Sequence, residues 1–294
     1  MNTLLLPENL QKLRNLELIA RQVVEGFITG RHRSPFHGFS VEFAEHRQYM
    51  PGDPVRHIDW KVYGKTQRYY IKQFEEDTNL KAWILLDTSA SMFYGSGSIT
   101  KFTYASYLAA SLTYLMLKQR DATGLMLFDN QVREKLMPRS VWSWFYRILD
   151  KIDNVTPGTT TDLSASLHNL AESINRRGLI ILISDLFDED EKLLSALRHF
   201  RHLKHEVIVF HVLDPQETDF DFKRETKFRD LETGELINTQ PLHIRADVQQ
   251  AVAGFIKDFQ VGCREHHIDH VLLDTQTPFD QALYQYLLKR GRLY

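Results

Sequence analysis

The sequence predicts an α/β protein: a doubly wound, mostly parallel sheet flanked by helices, with a small β-rich appendage towards the N-terminus. Two observations carry this. From about residue 80 onward, short apolar runs such as Ala82–Leu86 and Ile180–Ile183 alternate with longer helical stretches, which is the pattern of βαβ units. Residues 31–79 break that alternation, with turn signals and short extended runs, and read as a separate piece. A chain of 294 residues is long enough for one large core domain with an appended segment.

The expected organisation is an N-terminal amphipathic helix in 1–30, an appendage in 31–79 and the α/β domain in 80–294. Leu10, Leu13, Leu16, Leu18, Ile19, Val23, Val24 and Phe27 recur at helical spacing over 8–28, and Gly30 stops the helix. Its apolar face must pack on the body of the chain, on a partner or on a membrane surface. Residues 39–72 read as short strands and turns around Pro51-Gly52-Asp53-Pro54. Trp60 is expected to anchor this piece while Arg56 and Asp59 pair; a docking surface is the competing reading.

In the α/β domain the expected elements are a strand at 82–86, a helix at 101–119, a strand at 122–128 and an edge hairpin partner at 131–137. Helices follow at 140–152 and 162–176, then strands at 180–183 and 206–212. A hairpin at 227–237 turning at Thr233-Gly234 forms an insertion near 220–240. Helix 244–265, strand 268–273 and helix 278–290 complete the chain.

The chemistry concentrates where two apolar strands end in aspartate. Asp87-Thr88-Ser89-Ala90-Ser91-Met92 places one carboxylate and two hydroxyls at alternate positions after the first strand, and Ser184-Asp185 follows another. The crevice beyond the carboxyl ends of such strands is where open α/β sheets bind ligands. Oxygen-only donors with few carboxylates suit Mg²⁺ or Mn²⁺ better than zinc. The competing reading makes the first stretch a polar strand-to-helix turn with a serine cap.

Asp87-x-Ser89-x-Ser91, then Thr161-Asp162-Leu163, then Ser184-Asp185 resemble, in this order, the metal-ion-dependent adhesion site of the von Willebrand factor type A family. The resemblance implies that Ser89, Ser91 and Thr161 supply hydroxyl ligands, with Thr160 as the alternative to Thr161, and that Asp87 and Asp185 act largely through water. Upstream, the run from Phe43 to Lys61, including Arg56-His57-Ile58-Asp59-Trp60, resembles the signature of the bacterial family called domain of unknown function 58, in which it precedes an A-type domain. That resemblance implies work beside a MoxR-type AAA+ ATPase, as an adaptor in the assembly or maturation of other proteins.

Composition narrows the rest. Net charge is -2, and the first 80 residues carry 11 Lys and Arg against 10 Asp and Glu, so no basic arm exists for nucleic acid. Cys263 is the one cysteine, which leaves no internal disulfide and suits a reducing compartment. No apolar run approaches the ~18 residues of a membrane span, and a cytoplasmic protein is expected. Neutral hydroxyl ligands leave a bound dication with positive charge to attract an acidic side chain from a partner protein. The alternative is a metal-dependent phosphotransferase or phosphatase with Asp87 as nucleophile, although the position two residues on is Ser89 rather than a second carboxylate and no general acid lies in the motif. The loop Tyr94-Gly95-Ser96-Gly97-Ser98 lacks the Gly-Lys-Ser/Thr ending of a phosphate cradle. Phe187-Asp188-Glu189-Asp190-Glu191 reads as an ordinary acidic helix start, and His199, His202 and His205 as no metal site.

Overall fold

The computed structural model describes residues 6–11, 15–30, 46–48, 60–72, 80–158, 163–174, 176–187, 190–222, 226–229, 231 and 236–291. The chain divides into two compact units, one of Met1–His32 with Leu80–Tyr294 and one of Arg33–Asn79.

In the larger unit the helical elements, in order, begin with α1 (Pro7–Leu10) and α2 (Leu16–Gly30). One continuous helix was expected here; the structure interrupts it. Asn15 accepts a hydrogen bond from the Leu18 amide (3.1 Å), so it caps a new helix rather than continuing the old one. Leu10, Leu16, Ile19, Val23, Val24 and Phe27 lie in the core together with Ala20, as the spacing predicts, whereas Leu18 is 48% exposed and Leu13 lies outside the described residues.

The smaller unit contains β1 (His46–Gln48), α3 (Trp60–Thr66) and β2 (Tyr70–Lys72), with β1 and β2 paired antiparallel. The helix corrects the expectation of strands and turns alone. So does Trp60: it is 57% exposed at the start of α3, meeting Tyr63 edge-on, and is not a core anchor. Arg56 and Asp59 lie outside the described residues.

The remaining elements are β3 (Lys81–Asp87), α4 (Lys101–Lys118), β4 (Ala122–Phe128), β5 (Val132–Arg139), α5 (Ser143–Asp153), α6 (Leu163–Ser173), β6 (Leu179–Ser184), α7 (Asp190–His202), β7 (Glu206–Leu213), α8 (Pro215–Asp219), β8 (Thr226–Arg229), β9 (Leu236–Thr239), α9 (Pro241–Glu265), β10 (Asp269–Asp274) and α10 (Phe279–Gly291). Six strands form the main sheet in the order β10-β7-β6-β3-β4-β5, parallel except for the edge pair β4-β5. β8 and β9 pair antiparallel as the predicted hairpin insertion, whose Thr233-Gly234 turn lies outside the described residues.

Two apolar layers cover the sheet. On one face α2, α4, α5 and α10 pack on Ala82, Ile84, Leu86, Ile181 and Ile183; on the other α6, α7 and α9 pack on Trp83, Leu85, Ile180 and Leu182. Successive side chains of a strand point to opposite faces, so central strands need apolar residues on both faces, and β6 (LIILIS) has five in a row before Ser184, with all six positions buried. This is a doubly wound, mostly parallel α/β fold. Taking the six sheet strands in chain order, their arrangement is 3-2-1-4-5-6, and the strand order reverses between β3 and β6.

Candidate functional site

Asp87 ends β3 and Ser184 ends β6, so the two acidic strand ends lie side by side at the reversal. Asp87 is 1% exposed, Ser89 1% and Asp185 2%. Both oxygens of Asp87 are held: Oδ1 accepts from the Ser89 amide (2.8 Å) and Oδ2 from the Ser184 hydroxyl (2.6 Å). The Oγ atoms of Ser89 and Ser91 stand 3.0 Å apart. Ser89 occupies the N-cap position of the 3-10 turn Ala90–Phe93, yet its side chain makes no cap bond. The cap of α4 is Thr100, which accepts from the Thr103 amide. The serine-cap reading therefore does not describe these hydroxyls.

Thr160 and Thr161 lie outside the described residues. The chain on either side of them is tied to the same end of the sheet: the Gly158 amide donates to Thr88 O (2.8 Å), and Ser166 Oγ donates to Asp129 O (2.8 Å). Asp188 and Glu189 are also outside the described residues.

Burial first, then the charge of Asp185, pushes the Asp87 carboxyl up to about 7, against the opposing pull of its bonds from Ser184 and Ser89. A dication beside it would relieve that excess of negative charge. Among the described residues no group of three or more His, Cys, Asp or Glu could hold a metal ion, so a site here depends on the hydroxyls. Two converging hydroxyls backed by two buried carboxylates fit a hard, oxygen-seeking dication. Ser89, Ser91, Asp87 and Asp185 are the described residues that could hold one.

Further participants were not anticipated from the sequence. Lys101, 0% exposed in the first turn of α4, donates to Asp185 Oδ2 (2.8 Å) and to Glu217 Oε1 (2.5 Å). Burial pulls its ammonium down, but Asp185 and Glu217 outweigh that and hold it above its ordinary value. Glu217 is raised because its own burial outweighs the pull of Lys101. Glu217 and Asp214 form a reciprocal capping box on α8, and Asp214 also takes the Ser96 amide (2.8 Å) and the Ser96 hydroxyl. The loop that resembles a phosphate cradle is thus a strut. Its Gly95 is required by close approach, since a Cβ there would stand 2.5 Å from Ile99 O. His211, opposite Ser184 in the sheet, is held down at about 3 by burial and by neighbouring His270, so it is a neutral wall. The signal that could have found Lys101 is a lysine at a helix start, where the dipole disfavours a cation.

His199 meets His168 (Nδ1 to Nδ1, 3.2 Å), and His205 is buried on β7's approach with its ring edge-on to Phe200.

Among known proteins, the chain is 28% identical over 233 residues to the uncharacterized protein Rv1480 of Mycobacterium tuberculosis, covering 78% of this chain and 72% of that one. The uncharacterized protein Mb1516 of Mycobacterium bovis matches to the same extent. Of solved structures, an aerotolerance-related membrane protein from Bacteroides fragilis superposes with a TM-score of 0.51 at 18% identity, over 71% of this chain and 99% of that one. That likeness is one of fold. In the chain itself, no helix among the described residues is long and apolar enough to cross a membrane. The model of the family described as protein of unknown function DUF58 matches residues 45–255, and the chain belongs to that family.

Proposed function

We propose that the chain is a Mg²⁺-dependent protein-interaction module, with Mn²⁺ able to replace Mg²⁺, and that it works in the cytoplasm. Ser89, Ser91 and Thr161 would hold the ion directly, and Asp87 and Asp185 through water. When bound, the ion supplies positive charge that its neutral hydroxyl ligands do not cancel, and an acidic side chain of a protein partner completes the site. The observation that carries this reading is the pair of converging hydroxyls set against two buried carboxylates at the strand-order reversal. Membership of the family makes a MoxR-type AAA+ ATPase the proposed partner, with the chain as adaptor in protein assembly or maturation.

Phosphoryl transfer from Asp87 is the weaker reading. A nucleophilic carboxylate needs a free oxygen facing substrate, whereas both of Asp87's oxygens already accept hydrogen bonds in a buried setting. Titration calorimetry tests the proposal: Mg²⁺ and Mn²⁺ should bind the wild type, and the heat should vanish in the Ser89→Ala, Ser91→Ala double variant. Undiminished binding in that variant would put the metal elsewhere. Capture of the ATPase should likewise fail with chelator.

A further inference from the structure

Lys101 does nothing for the helix it opens. Thr100 caps α4, a cation in the first turn opposes the dipole, and burying the ammonium costs solvation. Its side chain instead spans two carboxylates on different strand ends, Asp185 after β6 and Glu217 after β7, beneath the rings of Phe187 (4.8 Å from Nζ to centroid) and Tyr94 (5.9 Å). Glu217 is a fixed acceptor, because its other oxygen takes the Asp214 amide at 2.8 Å.

We propose that Lys101 is an internal counter-cation that competes with the divalent ion for Asp185, with Glu217 as the seat it keeps when Asp185 turns to the metal. This rests on the metal reading of the site. Without a divalent ion the ammonium neutralises Asp185. With one, a dication and an ammonium must share the same cluster, and each weakens the hold of the other. Lys101 thereby keeps the affinity of the free protein low. An acidic side chain from a partner brings the negative charge that Lys101 cancels, so metal and partner bind together rather than in sequence.

The test uses the full chain and Mg²⁺ alone, by titration calorimetry, on the wild type, Lys101→Met and Glu217→Gln, with Ser89→Ala, Ser91→Ala as the blank. Lys101→Met should tighten Mg²⁺ by about tenfold, equivalent to ~1.4 kcal/mol. Glu217→Gln, which leaves the ammonium with Asp185 alone, should weaken it by about the same factor. The two shifts must have opposite sign. Serine-dependent binding with one Kd in all three proteins refutes the competition and leaves the metal reading standing. Binding absent from all three, or indifferent to the serines, overturns the metal reading and the competition with it. If circular dichroism shows Lys101→Met unfolded, Glu217→Gln decides: a weaker Kd supports the proposal and an unchanged one overturns it.

Discussion

Replacing Asp87 by asparagine should stabilise the metal-free protein at alkaline pH, although it removes a residue of the candidate site. The acid is raised from 3.8 to about 7 by burial and by the charge of Asp185. Between those two values the folded protein holds a proton that the unfolded chain has released, so stability falls as pH rises through that window. Above it both states are ionised, and the buried carboxylate costs the fold about 4 kcal/mol, at ~1.4 kcal/mol for each pH unit of displacement. Asparagine carries no such proton. Its oxygen can still accept from the Ser89 amide, and its amide can face Ser184 Oγ, which already takes the Leu186 amide at 3.0 Å. Losing charge-assisted bonds gives back about 1 to 2 kcal/mol. Asp87→Asn should therefore be about 2 to 3 kcal/mol more stable than the wild type at pH 8 in chelator. Below pH 4 it should be equal or slightly less stable. Urea unfolding of both proteins at pH 4, 6 and 8 measures this difference. Mg²⁺ at pH 8 should then stabilise the wild type and leave the variant unmoved. A difference that does not change with pH would refute the reasoning, because the effect depends on one titrating group.

Two further outcomes follow from packing. Ile19→Ala removes a side chain that is 1% exposed in the main core and should cost about 2 to 5 kcal/mol in urea unfolding; a loss under ~1 kcal/mol would make α2 an accessory rather than a part of the fold. Trp60→Ala removes an exposed ring and should stay within about 0.5 kcal/mol of wild type by calorimetric melting, whereas a loss of several kcal/mol would restore Trp60 as an anchor.

The sheet was legible because its strands carry their burial in their composition. β3, β6 and β7 are apolar at nearly every position, which only a strand covered on both faces tolerates, and the helices between them are long enough to be recognised. The break at Asn15 was not legible, since Leu10, Leu13 and Leu16 keep helical spacing across it and a capping side chain outweighs periodicity locally. Nor was α3: Gly64 is a poor helix residue, and Trp60 in a signature-like run looks like a core residue until its exposure is seen.

The candidate site divides along the same line. Asp87, Ser89, Ser91 and Asp185 could be named in advance because strand ends and alternate spacing are properties of one segment each. Ser184, Lys101 and Glu217 bear on those residues only through the fold. Ser184 Oγ reaches Asp87 across two adjacent strands, and the lysine from the start of α4 meets carboxylates more than eighty positions further along the chain. Periodicity cannot report such meetings, because it describes what a residue does for its own element. A residue that does the wrong thing for its element is the exception. A buried cation at a helix start opposes the dipole and loses its solvation, and the fold can keep it only if partners elsewhere offset both costs. Lys101 has those partners, and both of them sit at the carboxyl ends of the strands where the hydroxyls of Ser89 and Ser91 converge.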